Sequence, residues 1–507
     1  MSLDLFTSRL DFEYAGAPEA LFSGLSVHFP AGWTGVAGAN GAGKTTLLQL
    51  LTGGLRPDSG TVSRPGPAIL CAQETVVPPA GLTGFFAARD GVAARLREQF
   101  RLSPAMAERW DSLSPGERRK LQIAVALSAR PAVLCLDEPT NHLDAEARGQ
   151  LLAGLRSFRG VGVLVSHDRE LLDLLCAQCL FLEPGRAVMR PGGFRAGREQ
   201  ARLELASRID AIRELKKELK QDRRELQRRR EKEQQARGRN SKRQLDRHDR
   251  DGKGRIDAAR VSGRDRRPGD LAGRQAKVVA GTAAELAGLG KAKLPQLKLS
   301  MPYGAYSSRN LLLDLEAGRE RFGDGRFLEF PALRIGRRDR IALTGNNGCG
   351  KSTLLRRIIG ELKIPPAEYL YMPQELDDRA TAGMHRTLQA LPRGDFSRVM
   401  SVVAALGSRP ERILDSAHCS PGEWRKLFFG LGALRRVGLI VMDEPTNHLD
   451  LPSIECLETA LGAAETALLL VSHDRIFLRR RCSIHWHIDA GGEGRQLLRP
   501  AFFPSVE

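Results

Sequence analysis

A chain of 507 residues, 42% hydrophobic and 27% charged, is long enough for two or three domains with cores of their own. Its formal net charge of +18 and sequence pI near 9.9 favour a polyanionic partner, because each phosphate neutralised releases counterions. No apolar run approaches the roughly 18–20 residues that span a bilayer, and the start MSLDLFTSRLDFEY lacks a basic stretch followed by an apolar one; the expectation is a cytoplasmic protein with no secretory signal and no membrane partner.

The first element that carries chemistry is an apolar strand at Trp33–Ala37, followed by G-x-x-x-x-G-K-T at Gly38–Thr45 and an apolar helix at Thr45–Leu51. Strand, glycine-rich loop and helix is the context in which such a loop cradles phosphates. Gly38, Gly41 and Gly43 let successive backbone N–H groups turn toward an anion, with Asn40 and Thr46 alongside, and the helix start adds its dipole. Lys44 is placed to reach the β- and γ-phosphates, and the Thr45 hydroxyl to reach Mg²⁺. A short strand at Ala68–Cys71 leads to Gln73, a residue able to report on Mg²⁺ and an attacking water. The strand Ala132–Leu136 ends in Asp137, suited to Mg²⁺, and Glu138, placed to orient or deprotonate that water. The strand Gly162–Val165 delivers His167 to the C-terminal edge of a parallel sheet, where it can donate to a γ-phosphate. Ser166, His167 and Asp168 are not a catalytic triad, because neighbours in sequence do not converge across a site. Cys176 and Cys179 form a C-x-x-C pair, but no second pair completes a zinc site, so they read as reduced packing residues.

From Arg198 to Arg267 the composition changes: 25 Lys/Arg against 14 Asp/Glu leave +11 (25 − 14), more than half of the whole excess. Leu205, Ile212, Leu219 and Leu226 recur every seven residues, with Ile209 and Leu215 on the same face, which makes a coiled-coil seam. Glycine and proline interrupt the pattern around Arg237–Asn240 and at Gly252, Gly254, Gly263, Pro268 and Gly269; a second helical stretch follows at about Leu271–Leu289. The pattern predicts an αα-hairpin standing off the body, with a basic tip. Arg228, Arg229, Arg230, Arg237, Arg239, Lys242 and Arg243 are its candidate RNA contacts. A solvated spacer would need neither the seam nor the arginine surplus.

The remainder repeats the first part. A second glycine-rich loop follows the strand Ile341–Thr344 and precedes the helix Ser352–Ile359; it contains Gly345, Asn347, Gly348, Gly350, Lys351, Ser352 and Thr353. Tyr369–Met372 leads to Gln374, Leu439–Met442 to Asp443 and Glu444, and Ala467–Val471 to His473. DEPTNHLD occurs at Asp137–Asp144 and Asp443–Asp450, SHDR at Ser166–Arg169 and Ser472–Arg475, and SPGE-x-R-K at Ser114–Lys120 and Ser420–Lys426. Shared motifs in one order mean a duplicated domain. The expected boundaries are 1–195, 196–295 and 296–507.

Together these motifs resemble the ATP-binding cassette superfamily over nearly all of both halves. The resemblance implies an α/β fold: two tandem P-loop NTPase cassettes, here joined by a basic α-helical hairpin. It implies that Ser114, Gly116 and Glu117, and Ser420, Gly422 and Glu423, belong to signature loops, and that Asp144 and Asp450 close the D-loops. Cassettes of this kind close head to tail around two ATP molecules, so Lys44 should face Ser420, and Lys351 should face Ser114. Tyr14 sits where the family stacks an aromatic on adenine, with Phe322 as its second copy. Cys419 stands where the first half has Leu113, which puts equal activity of the two sites in doubt. Two cassettes without membrane helices, D-loops reading Asn-His-Leu-Asp and a basic interdomain hairpin resemble the ABC-F family. That resemblance implies a monomeric ATPase using ATP and Mg²⁺, bound to the ribosome, with its hairpin reaching toward P-site tRNA and the peptidyl-transferase RNA, in translation or antibiotic resistance. It also leads us to expect no added arm between Gln73 and Leu113 and no further coiled-coil domain after Glu507. A DNA-associated ATPase of repair or recombination and a detached transporter motor are the competing readings; the basic hairpin opposes the second.

Overall fold

The computed structural model describes residues 4–16, 20–74, 76–141, 143–183, 185–239, 267–289, 309–322, 325–408, 410, 413, 419–492 and 494–503. The chain forms two units, Met1–Gly197 with Leu297–Glu507, and Arg198–Gln296.

In the first unit the strands are β1 (Leu5–Phe12), β2 (Phe22–Phe29), β3 (Gly32–Gly38), β4 (Ser59–Ser63), β5 (Ala68–Cys71), β6 (Val133–Asp137), β7 (Val161–Val165), β8 (Gln178–Glu183) and β9 (Arg186–Pro191). β2, β1 and β4 make an antiparallel sheet; β5-β6-β7-β3-β8 run parallel, with β9 antiparallel at the edge. The second half continues with β10 (Leu311–Leu315), β11 (Gly318–Arg321), β12 (Phe327–Phe330), β13 (Leu333–Gly336), β14 (Arg340–Gly345), β15 (Tyr369–Met372), β16 (Leu439–Asp443), β17 (Ala467–Val471), β18 (Ile484–Gly492) and β19 (Arg495–Phe502). Its order β15-β16-β17-β14-β18-β19 repeats the first sheet, and β12 and β11 extend it. This is an α/β fold of two tandem P-loop domains, and the strand order shows the duplication that the motifs announced.

The central strands read VLCLD, VGVLV, LIVMD and ALLLV, and every residue in them is buried. Such unbroken apolar runs suit parallel strands covered on both faces. Each buried Val or Leu stabilises the sheet by about 1.5–3 kcal/mol. Register then fixes the chemistry: Val36 pairs with Val165 and Asp137 with Val165, so the loops leaving β3, β6 and β7 emerge side by side. Leu343 and Asp443 pair with Val471 in the same way. Cys176 and Cys179 are buried in the hydrophobic core. Among the described residues no cluster of His, Cys, Asp and Glu could hold a metal ion, and no helix is long and apolar enough to cross a membrane.

In the second unit, helix Phe194–Arg239 carries Ile209, Ile212 and Leu219 buried, with Leu205, Leu215 and Leu226 half-buried. The return helix is Arg267–Leu289. It starts four residues before the expected position, because Pro268 near a helix start loses no hydrogen bond. Asp222 accepts from the Gln275 amide and the Thr282 hydroxyl, both at 3.2 Å, and Arg229 donates to the Leu271 carbonyl at 3.3 Å. Residue numbers rise on one helix as they fall on the other, so the pair is antiparallel. Arg228 and Arg230 are exposed, whereas Arg229 is half-buried and also pairs with Glu225. Arg237 and Arg239 lie in the last turn of the first helix; Lys242 and Arg243 lie outside the described residues, as does most of the expected tip.

The Asp222 layer yields a test. Asp222→Ala strands the buried Gln275 amide, at a cost of about 1–3 kcal/mol. Amide exchange should accelerate in residues 205–230 and 270–288 and stay unchanged in both P-loop domains.

Candidate active site

Each glycine-rich loop is an opened turn at a helix start. Gly43 and Gly350 cap helices Lys44–Thr52 and Lys351–Gly360 in the left-handed region (φ 91° and 100°), and neither first turn holds an acidic residue. A β-carbon on Gly43 would lie 2.7 Å from the Phe22 ring, so the loop is closed to other residues there. Lys44 Nζ donates to the carbonyls of Gly38 (2.8 Å) and Ala39 (3.1 Å), and Lys351 Nζ to those of Gly345 (2.8 Å) and Asn346 (3.1 Å). Folded back this way, each lysine holds its charge inside the loop. Burial pushes the Lys44 ammonium below its ordinary pKa against the pull of Glu138, Asp450 and Asp137.

The hydroxyls of Thr45 and Ser352 donate to Asp137 Oδ2 (2.7 Å) and Asp443 Oδ2 (2.8 Å). Hydroxyl, carboxylate and the neighbouring Gln73 or Gln374 form a hard-oxygen set that suits Mg²⁺ shared with phosphate oxygens. Glu138 and Glu444 follow with φ of 47° and 51°, an uncommon conformation for a non-glycine residue, which turns each carboxylate back along the sheet edge. Glu138 Oε2 accepts from the His167 amide (3.0 Å), and Glu444 Oε2 from the His473 amide (3.2 Å). The Oε1 atoms lie 3.2 and 3.4 Å from the histidine Nε2 atoms, without aligned hydrogen bonds, and are buried. Burial pushes the Glu444 carboxyl up to about 7 and Glu138 upward likewise. It pushes His473 down to about 3, aided by Lys351, and His167 downward too, so both imidazoles are neutral.

SPGE folds as a capped helix start in both halves. The Ser114 hydroxyl accepts from the Glu117 amide (3.3 Å), and Glu117 Oε2 accepts from the Ser114 amide (2.9 Å); Ser420 and Glu423 repeat both distances. These starts face the opposite half. One cleft of about 1060 Å³ is lined by Tyr14, Asn40–Thr46, Gln73, Asp137, Glu138 and His167, together with Ser420, Gly422, Glu423 and Lys426. The other, about 1170 Å³, brings Ser114, Gly116, Glu117 and Lys120 to Phe322, Asn347, Gly348, Gly350–Thr353, Gln374, Asp443, Glu444 and His473. The D-loop aspartates cross the same seam: Asp450 Oδ2 accepts from the Asn40 amide (2.7 Å) and Asp144 Oδ2 from the Asn347 amide (3.3 Å). Tyr14 shares a hydrogen bond with Thr46 (3.0 Å), whereas the Phe322 ring packs beside Gly350.

Sequence reasoning missed Arg119 and Arg425. Arg119 is buried and donates to the carbonyls of Ala72, Gln73, Asp137 and Glu138 and to Gln122 Oε1, at 2.5–3.1 Å. Arg425 donates to the carbonyls of Glu444 (2.8 Å) and Gln374. Each ties its SPGE helix to the glutamine loop and the Asp-Glu turn of its own half. The signal was available, since both copies read SPGE-x-R-K.

Residues 22–141 and 331–447 match the ABC transporter family. The chain is similar to ATP-binding protein Uup of Caulobacter vibrioides, 30% identical over 95% of this chain and 77% of the relative. It is similar to tylosin resistance ATP-binding protein TlrC of Streptomyces fradiae, 30% identical over 91% of this chain and 93% of the relative. Ribosome protection protein VmlR of Bacillus subtilis is 28% identical over 91% and 83%. Among solved structures, RNase-L Inhibitor shares the fold with a TM-score of 0.61 at 16% identity, covering 98% of this chain and 90% of that one.

Arg119→Lys keeps the charge but not the fork that spans four carbonyls. On the sequence expectation that Glu138 orients the attacking water, nucleotide affinity should change by less than about threefold and turnover fall at least about tenfold, since its misplacement acts on the chemical step. Isothermal titration beside phosphate release checks the split.

Proposed function

As the chain belongs to the ABC-F family of ATP-binding cassette ATPases, we propose that it hydrolyses ATP to ADP and phosphate at two composite sites within one chain, and that its basic hairpin ties this cycle to the ribosome. The observation that carries the reading is the make-up of the clefts: each gathers a P-loop and Asp-Glu turn from one cassette and an SPGE helix start from the other. A polyphosphate suits these clefts because both walls offer helix starts, those of the glycine-rich loops without an acidic residue in the first turn, and Lys44 and Lys426 share the first cleft.

On this reading Lys44 and Lys351 leave their carbonyls to take the β- and γ-phosphates. Ser114 and Ser420 close on the γ-phosphate held opposite them. Thr45, Asp137 and Gln73, and Ser352, Asp443 and Gln374, hold Mg²⁺, which neutralises charge on the phosphate oxygens. Glu138 and Glu444 take a proton from the attacking water through the unpaired Oε1, while neutral His167 and His473 donate to the γ-phosphate from Nε2. Tyr14 and Phe322 stack on adenine.

The ribosome is proposed as partner from the helical hairpin, whose surplus of +11 lies between Arg198 and Arg267, and from relatives named for ribosome protection and tylosin resistance. The chain acts as a monomer in the cytoplasm, and the hairpin approaches P-site tRNA and peptidyl-transferase RNA through Arg228 and Arg230.

Glu138→Gln with Glu444→Gln should retain ATP binding and lose turnover by about 10²–10⁴-fold. Turnover near the parent's would remove these glutamates from the mechanism. pH gives a second reading of the same groups. A base must be ionised, and burial holds the Glu444 carboxyl protonated until pH passes about 7. In Glu138→Gln protein kcat should therefore rise from about pH 6 to about pH 9, and a flat or falling profile would exclude Glu444 as the base.

Arg228→Gln with Arg230→Gln should weaken ribosome binding and flatten its salt dependence by roughly 0.7–0.9 in log–log slope per lost phosphate contact, with ATPase unchanged when ribosomes are absent. Titrations at several salt concentrations measure this; an unchanged slope, or tighter binding to branched DNA than to ribosomes, would overturn the partner.

A further inference from the structure

The two halves repeat each other's motifs and the aspartate clasp between them, but the interface does not repeat all of its contacts. Arg148 lies four residues past the D-loop aspartate Asp144; the residue four past Asp450 is Ile454. Arg148 Nη1 donates to the His473 carbonyl of the second cassette at 2.9 Å and lies 3.2 Å from Asp168 Oδ2 of its own. One guanidinium nitrogen thus joins both histidine loops, and Arg148 lines both clefts.

The second arginine is Arg169 of the first SHDR. It is buried, and its Nη2 donates across the seam to Glu458 Oε1 (2.6 Å) and Asp474 Oδ2 (2.8 Å). Arg480 holds the other oxygen of Glu458 at 2.9 Å. Asp474 adjoins His473, so two arginines of the first cassette grip consecutive residues of the second cassette's histidine loop. The counterpart of Arg169 is Arg475, which is exposed and makes no ion pair among the described residues. Leu152 occupies the position equivalent to Glu458. The reverse grip therefore lacks its arginine at Ile454 and its carboxylate at Leu152.

We propose that Arg148 and Arg169 are positioning residues that hold the second cassette's histidine loop from across the interface, so that the site of Lys351, Glu444 and Ser114 depends on the first cassette in a way that the site of Lys44, Glu138 and Ser420 does not depend on the second. The functional half of this rests on the ATPase reading above. The physical chain is short. With the His473 carbonyl and Asp474 carboxylate fixed, the His473 amide stays on Glu444 Oε2 and Nε2 stays beside Oε1. Loss of the grip lets the loop drift, and Glu444 loses the partner that aims it at water. Both histidine loops have the same internal anchors, the Asp168 amide on the Ser166 hydroxyl (3.0 Å) and the Leu171 amide on Asp168 (3.0 Å) in one, the Asp474 amide on Ser472 (3.1 Å) and the Phe477 amide on Asp474 (2.9 Å) in the other; the difference is that no arginine reaches the His167 loop from the second cassette among the described residues.

Arg169 is a poor first target, because its removal would take the arginine from Asp474 and leave Glu458 with Arg480 alone inside the interface. Arg148, partly exposed, tolerates Arg148→Met. In the full-length protein, hydrogen exchange of amides 472–478 should speed by about tenfold, and that of 166–172, which loses the Asp168 ion pair but no contact from the other cassette, by less than about threefold. In a Glu138→Gln background, where turnover comes from the Lys351 site, Arg148→Met should lower kcat by about tenfold with KM within about twofold, the pattern of a lost positioning contact rather than lost binding. Unchanged exchange at 472–478, equal acceleration in both loops, or asymmetric exchange with unaltered kcat would each overturn the proposal. Exchange needs no hydrolysis, so a parent protein without turnover would sink the ATPase reading and leave the grip itself to be judged by exchange alone.

Discussion

The arrangement depends on a carboxylate that crosses between halves. Asp450 accepts from the Asn40 amide, and Asp144 from the Asn347 amide, so each glycine-rich loop is held by the D-loop of the other domain. A loop of this kind, built with its N–H groups turned toward an anion, is unstable to leave alone, because aligned donors repel one another and lack acceptors. A carboxylate satisfies one of those amides and sets the distance at which the opposing SPGE helix arrives. The clefts follow from that contact: once the aspartate is seated, Ser420 and Lys44 line one space, and Ser114 and Lys351 the other.

Burial explains the rest of the electrostatics. The Asp-Glu turn sits at the end of a strand with no exposed residue, so its carboxyls lie where water is scarce and their charged forms are penalised. The same desolvation keeps His167 and His473 neutral. A glutamate whose pKa is raised is a better proton acceptor once ionised, and a neutral imidazole keeps an N–H to donate without adding a charge to bury. One cause, exclusion of water at the sheet edge, thus tunes both partners in compatible directions.

Most of the fold was legible because its signals are local. Unbroken apolar runs ended at Asp137, Asp443 and before His473, and the strands Ala68–Cys71, Tyr369–Met372 and Ala467–Val471 have the bounds their composition gave. The glycine-rich loops and the helices that follow them were legible for the same reason: the glycines, the lysine and the hydroxyl are contiguous. Arg119 was visible as a repeated letter but not as a hub, since its acceptors are backbone carbonyls, and a carbonyl has no letter in a sequence. Arg148 left no repeated signal, because its counterpart is Ile454. The hairpin's return helix began early because Pro268 and Gly269 read as breakers, although a helix start tolerates both.

Duplication sets a limit on symmetry that bears on how such a machine can run. Repeated motifs place the same side chains in both halves, yet part of the contact between halves is made by residues outside the motifs, such as Arg148 and Glu458, and those are free to diverge. The P-loop clasp is shorter at Asn40, 2.7 Å against 3.3 Å. The histidine-loop grip runs the other way, from the first half onto the second. One half therefore receives the shorter contact on its glycine-rich loop and the other the arginine grip on its histidine loop. Clefts held at different points have different weak points. An ordered sequence of events requires that difference, and two identical sites joined by a symmetric seam would give no reason for one to act before the other.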